Sequence, residues 1–300
     1  MREIPAWFGL TAVESADREV VVLGCPFEGG DAYRGGSSEG PAAVRAWART
    51  SQAVTEDGNV IEGLRVIDAG DVSSADDSSE GRWAALETAA AGALQQNPGS
   101  FLLSLGGDHG VTPPLAAAVR AARGDLGFLI LDAHPDAFDS YDGDPLAHAC
   151  VLPRLWDRAG FKSDTSCLVG VRSYAREEID ALQEFGLVVS AQRWEGEGSV
   201  MLADDVLRVT GGRPLYISLD IDVLDPACAP ATGYPVAGGP NTRRVLELLG
   251  AIWRRQPVVG MDLVEVAPAI EPSGITESTA AHICLQVLGH IARQDPSLSA

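Results

Sequence analysis

Eight stretches of the chain are dominated by apolar residues: EVVVLGCPF (19–27), LRVIDAGDV (64–72), FLLSLGGDH (101–109), LGFLILDAH (126–134), SCLVGVRS (166–173), GLVVSAQRW (186–194), PLYISLDID (214–222) and VVGMDLVEV (258–266). Most run without period-two alternation, the pattern of strands covered on both faces. Between many of them the spacing turns helical. GPAAVRAWART follows the first run, and RWAALETAAAGALQQ sets Trp83, Leu86, Ala90 and Leu94 at helical intervals. In VTPPLAAAVRAARG the sequence predicts Thr112 as N-cap, Pro113 and Pro114 in the first turn and Gly124 as the stop. TRRVLELLGAIWRR and STAAHICLQVLGHIAR read as two more helices, and DVSSADDSSEG and RWEGEGS as exposed loops. Strands alternating with helices predict an α/β fold in three layers, a central, mainly parallel sheet of about eight strands with helices on both faces. No linker or internal repeat divides the chain, so one domain over residues 1–300 is expected.

In open parallel sheets, sites form where the strands end at their carboxyl sides. Four of the runs end there in GGDHG, DAHPD, DIDVLDP and DLVEVAP. In SLDIDVLDP, Asp220 and Asp222 stand two apart within an apolar run. Strand alternation puts both on one face, roughly 7 Å apart along the backbone. Burying either carboxylate without a partner is costly, so positive charge is expected against them. DAHPD repeats the arrangement with Asp132, His134 and Asp136, provided the extended conformation continues that far. With His109 the set comprises four carboxylates and two imidazoles, which two divalent cations would neutralise. Oxygen ligands with a minority of histidine suit manganese better than a thiolate-seeking metal, with zinc, nickel, cobalt and iron left open.

Composition narrows the partners. A formal net charge of −20 argues against nucleic acid and anionic membrane surfaces, and mostly describes a solvated acidic exterior. No apolar stretch reaches the roughly 18 residues of a membrane span. The N-terminus MREIPAWFGLTAVESADREV lacks the pattern of a secretory signal. Five scattered cysteines without a CxxC favour reduced thiols, and the expected location is cytoplasmic. GGDAYRGGSSEG is glycine-rich but matches neither GxxxxGK[ST] nor a GxGxxG nucleotide fingerprint, and reads as a turn near a substrate entrance.

GGDHG, DAHPD and SLDIDVLDPACAPATG resemble, in order and spacing, the signature segments of the ureohydrolase family (arginases, agmatinases and their relatives). CPFEGGDAYRGGSSEGPAAVR, DAGDV and GMDLVEVAP extend the resemblance over roughly residues 20–290. It implies a binuclear manganese centre, two ions per subunit, that hydrolyses a guanidino or related amidino group. Carried over residue by residue, it makes His109, Asp132, Asp136 and Asp220 ligands of one metal. Asp132, His134, Asp220 and Asp222 serve the other, Asp132 and Asp220 bridging, with Asp108 and Asp225 as groups that orient ligands. Two metals that share a water lower its pKa and supply the nucleophile near neutral pH. Asp136 would pass a proton to the leaving amine, Glu265 would position the guanidinium, and His148 would shuttle protons.

Departures from the family pattern bear on the substrate. Gly110 follows GGDH where relatives usually carry Ser, and Phe138 stands where arginases carry an Asn that grips the amino-acid end. Ala175 replaces a carboxylate. The losses at Phe138 and Ala175 count against arginine and favour a small cationic guanidino substrate like agmatine, a compound of polyamine metabolism. Asp139, Asp142, Asp144 or Glu271 would meet its distal ammonium. Guanidinobutyrate is the near alternative, with Arg154 or Arg172 for its carboxylate. Arginase and formimidoylglutamase activities belong to the same family. Rivals outside this chemistry are a one-zinc deacetylase, a binuclear phosphatase and a non-catalytic metal-binding relative. A homo-oligomer, trimer or hexamer, is usual in the family.

Overall fold

The computed structural model describes residues 6–29 and 34–294. The expected strands all form: β1 (Arg18–Cys25), β2 (Leu64–Asp71), β3 (Phe101–Gly106), β4 (Gly127–Leu131), β5 (Ser166–Val171), β6 (Leu187–Ser190), β7 (Leu215–Asp220) and β8 (Val258–Val264). They make one sheet in the order β2-β1-β3-β8-β7-β4-β5-β6. Every pairing in it is parallel. Strands β3, β4, β5 and β7 are buried at every residue, whereas the edge strand β6 and the first half of the edge strand β2 alternate buried and partly exposed positions and the second half of β2 is exposed. Continuous apolar runs therefore went to the centre and interrupted ones to the edges, as burial on two faces requires.

The helices are α1 (Gly40–Trp47), α2 (Ser79–Gln96), α3 (Thr112–Arg123), α4 (Val151–Asp157), α5 (Ala191–Glu197), α6 (Ser199–Thr210), α7 (Thr242–Trp253) and α8 (Ile275–Arg293). Their buried faces fill two cores, one on each side of the sheet. One joins α1, α5, α6, α7 and α8 to residues such as Leu103, Leu129 and Ile217. The other joins α2, α3 and α4 to Leu102, Phe128 and Tyr216. There Phe128 stacks on Tyr216 at 5.5 Å and meets Phe161 edge-on at 4.9 Å, pairs worth about 0.5–1.5 kcal/mol each beyond their burial. No helix among the described residues is long and apolar enough to cross a membrane.

Three local expectations are corrected. Helix α3 starts at Thr112 and Val111 occupies the cap position, because the Thr112 hydroxyl turns inward to Ser218 Oγ at 3.2 Å instead of capping. RWEGEGS is not a loop: strand β6 stops at Ser190, whose Oγ accepts from Arg193 N and caps α5, while Trp194 is buried. Helices α4 and α6 fall where no helix was expected. Of the glycine-rich segment, residues 30–33 lie outside the described residues, and α1 begins soon after it.

Gly107 ties the fold to the strand ends. Its N–H donates to Cys25 O (2.8 Å) and its carbonyl accepts from Glu265 N (2.8 Å), which links β1, β3 and β8 just past their last residues. A Cβ on Gly107 would sit 1.9 Å from Phe27 O, so only glycine fits. Gly107→Ala should therefore lower stability by about 1–3 kcal/mol, measured by thermal or urea unfolding. A wild-type midpoint would mean the loop relaxes freely.

Candidate metal centre and substrate pocket

Strands β3, β8, β7 and β4 are four consecutive neighbours in the sheet, so GGDHG, DLVEVAP, DIDVLDP and DAHPD emerge side by side. His109 opens a single 3-10 turn (His109–Val111) leading into α3. Asp132 directly follows β4, and Glu265 directly follows β8. Strand alternation does not deliver the carboxylates. Asp220 ends β7, and Asp222 lies in a 3-10 turn (Ile221–Val223) that Asp220 caps by accepting from the Asp222 amide. Beyond Leu131 the chain is likewise irregular, and Asp136 takes φ 50°. Glu265 has φ 64°. Left-handed backbone at such residues costs about 1–3 kcal/mol each and persists only where the surroundings enforce it.

Three of the aspartates share one construction. Asp132 Oδ1 accepts from His134 N (2.6 Å), Asp220 Oδ1 from Asp222 N (2.8 Å) and Asp222 Oδ1 from Ala133 N (3.1 Å). Each thereby aims its second oxygen at an imidazole. His109 Nδ1 lies 3.0 Å from Asp132 Oδ2, 2.9 Å from Asp136 Oδ2 and 3.4 Å from Asp220 Oδ2. His134 Nδ1 lies 2.9 Å from Asp222 Oδ2 and 3.7 Å from Asp132 Oδ1. All six expected ligand residues thus come together. Two groups have ligand atoms close enough to hold a cation, His109–Asp132–Asp220 and Asp132–His134–Asp222, sharing Asp132.

The donor set fits divalent metal. His109 Nδ1 and Asp132 Oδ2 are buried without a hydrogen-bond partner although they face each other, a costly state for two polar atoms unless a cation serves both. Burial, then the charge of Asp132, pushes Asp136 up to about 6. Burial and the neighbouring Asp222 and Asp132 lift Asp220 well above the usual carboxylate range. These acids resist ionising together unless positive charge lies among them. His134 is pulled down by burial, yet Asp132 and Asp222 outweigh that and raise it to about 11.

A cavity of about 300 Å³ opens beside these groups, its wall including Asp136, Asp220, Asp222, His134, His148 and Glu265. Glu265 is buried, and its Oε1 accepts from His109 N at 2.8 Å. The outer wall is aromatic: Phe138 packs against Tyr141 (5.6 Å), Tyr141 against His148 (5.4 Å), and His148 stacks on Tyr234 (6.0 Å). Burial lowers the His148 pKa, and its Nδ1 is buried without a partner. Among the described residues no Arg or Lys lines this cavity.

Several expected roles move. Asp139 is not in the pocket: its side chain is 97% exposed and pairs with Arg154 at 3.1 Å. Asp144 accepts from Ser79 Oγ and Leu146 N, tying its loop to the start of α2, and Glu271 accepts from Ser273 within its own loop, so both carboxylates are engaged in structure. Asp108 accepts from Gly29 N and Gly110 N, capping the 3-10 turn that carries His109, and Asp225 accepts from Ala227 N and Gly238 N in the turns after β7. Arg172 is committed to the backbone. It donates to the carbonyls of Gly170, Asp222, Val223, Leu224 and Val236, holding the turn that carries Asp222. Arg154 pairs with Asp139 and Asp157. Glu178 was overlooked: it accepts from Ala137 N and Ala175 N and so joins two walls of the pocket. Nothing local in the sequence marks it, since the loops it joins are far apart in the chain.

The arginase family model matches residues 18–289. Agmatinase of Bacillus anthracis is 33% identical over 297 residues, 96% of this chain and 98% of the relative. Proclavaminate amidinohydrolase of Streptomyces clavuligerus is 32% identical over 280 residues, 92% of this chain and 88% of the relative. A solved structure of that amidinohydrolase is similar at a TM-score of 0.86 with 30% identity over 98% of both chains.

A histidine must be neutral to bind metal, and His134 in the metal-free site holds its proton up to about pH 11. Manganese added at pH 7 should therefore release at least about one proton per chain, and its affinity should rise with pH. Calorimetry in buffers of different ionisation heat measures this. Binding without proton release would remove His134 from the ligand set.

Proposed function

The chain belongs to the arginase family, and on that premise we propose that it is a binuclear manganese amidinohydrolase that cleaves an agmatine-like guanidino compound to urea and an amine. The observation that carries this reading is the pair of buried His/Asp clusters opening onto a cavity headed by Glu265. Two divalent ions, when bound, supply an activated water near neutral pH. His109, Asp132, Asp136 and Asp220 would hold one ion, and Asp132, His134, Asp220 and Asp222 the other.

The remaining chemistry falls to the chain. Guanidinium is planar and delocalised, a poor electrophile that must be fixed in place. Glu265, with one oxygen on the His109 amide, accepts a guanidinium N–H and orients the carbon toward the clusters. Asp136 takes the proton of the attacking water and hands it to the departing amine nitrogen, so that the products are urea and R–NH₃⁺. His148, kept neutral by burial and lining the same cavity, relays protons between that nitrogen and solvent.

The tail of the substrate is chosen by the outer wall. A carboxylate tail would need a cation, and Arg154 and Arg172 are both engaged elsewhere. An ammonium is accepted by Phe138, Tyr141 and Tyr234 through their ring faces. This favours an agmatine-like over a guanidinobutyrate-like compound.

With manganese bound, urea release should be fastest from agmatine, with kcat/KM at least about tenfold above guanidinobutyrate, guanidinopropionate or arginine. Asp222→Ala should abolish turnover and cut manganese from two ions to one, read by metal analysis. Glu265→Gln should lower kcat/KM by about 10- to 100-fold with both ions retained. Preference for a carboxylate-bearing compound would overturn the tail assignment, and two bound ions without urea from any compound would overturn the reaction.

A further inference from the structure

Asp262 sits in the middle of β8, 0% exposed, and belongs neither to the pocket wall nor to either ligand cluster. A carboxylate buried in the sheet is costly unless it is fully hydrogen-bonded. Its partners are two hydroxyls on the adjacent strand β7: Tyr216 Oη reaches Oδ2 at 2.7 Å and Ser218 Oγ reaches Oδ1 at 2.6 Å. Burial pushes the Asp262 carboxyl up, opposed by the Ser218 hydroxyl, the charge of His109 and the Tyr216 hydroxyl; in its ionised form it only accepts, and both hydroxyl protons then point at it.

That fixes the direction of the next bond. Ser218 has one proton, and it is given to Asp262. His109 Nε2 lies 2.9 Å from the same Oγ. With the serine proton committed, Nε2 must be the donor, since two lone pairs at that distance would repel. A neutral imidazole with its proton on Nε2 carries its lone pair on Nδ1. Nδ1 is the atom facing Asp132, Asp136 and Asp220. Thr112 Oγ1, at 3.2 Å, completes the contacts of Ser218.

We propose that Asp262 is a positioning residue that, through Ser218, holds His109 in the tautomer that binds metal and so sets the affinity of the His109 cluster, without acting on the His134 cluster. Hydrogen-bond partners behind a ligating histidine fix its ring and raise its basicity, and their loss typically costs 10- to 100-fold in metal affinity. Neither residue touches substrate, and the effect is on how tightly one of two ions is held.

The test titrates chelator-stripped protein with manganese alone and follows free manganese by electron paramagnetic resonance, which resolves two binding steps. It rests on the metal reading above, and wild-type protein reports on that separately: failure to take up two ions would fell that reading, not this one. Ser218→Ala and Asp262→Asn should each weaken one step by about 10- to 100-fold and leave the other unchanged. Tyr216→Phe removes the other hydroxyl from Asp262 without touching the relay, and both of its steps should stay within about twofold of wild type, which separates the relay from general loosening of the core. If Asp262→Asn does not fold, Ser218→Ala carries the test, because it leaves the carboxylate and Tyr216 in place. Wild-type affinities in Ser218→Ala, or equal weakening of both steps, would overturn the proposal.

Discussion

Four carboxylates held within a few ångströms of one another in a buried site are the constraint to which the rest of this molecule answers. Asp132 and His109 are each 1% exposed, Asp220 3% and Asp222 4%, so solvent screens little of the repulsion. Geometry does the work that solvent does not. Asp132, Asp220 and Asp222 each fasten one oxygen to a backbone amide and leave the other free to face an imidazole. Fixing one oxygen removes the rotational freedom that would let the acids turn away from one another, and the negative charge is concentrated where divalent cations fit.

The sheet supplies the platform. Strands β3 and β4, formed early in the chain, are separated by a gap that β7 and β8 fill late, giving the central run β3-β8-β7-β4. Four segments from opposite halves of the sequence then end side by side. Gly107 lets the β3 end approach the Phe27 carbonyl, and Arg172 pins the turn after β7 by donating to the carbonyls of Asp222, Val223 and Leu224. The strained Asp136 and Glu265 sit on this platform, where neighbouring strands hold them in place.

The pocket is built in two layers. The His/Asp clusters stand just beyond the strand ends, but the outer wall of the pocket comes from loops, and its aromatic rings touch one another in sequence from Phe138 to Tyr234. The arginines that might have greeted a carboxylate are instead structural, one bonded to main-chain carbonyls and one to surface aspartates. A charged side chain near a site is available to a ligand only if the fold has not already satisfied it.

The eight strands, their parallel α/β arrangement and the gathering of His109, Asp132, His134, Asp136, Asp220 and Asp222 beyond the strand ends were legible in the chain, because continuous burial and paired acids at strand ends leave local signatures. The same local reasoning misjudged how the acids reach the site: Asp222 and Asp136 arrive through turns, not through strand alternation. It also placed Asp139, Arg154 and Arg172 at the substrate, since charge is visible in a sequence and prior commitment of that charge is not. Asp262 and Glu178 escaped notice for the converse reason: Asp262 meets Ser218, 44 residues away, and Glu178 joins its own loop at Ala175 to Ala137, 41 residues away. Sequence by itself determined which residue types meet at the strand ends, because hydrophobic periodicity and motif spacing are short-range. Only the tertiary structure decided which polar groups remain free to act, because hydrogen-bond satisfaction depends on strand order and on contacts distant in the chain.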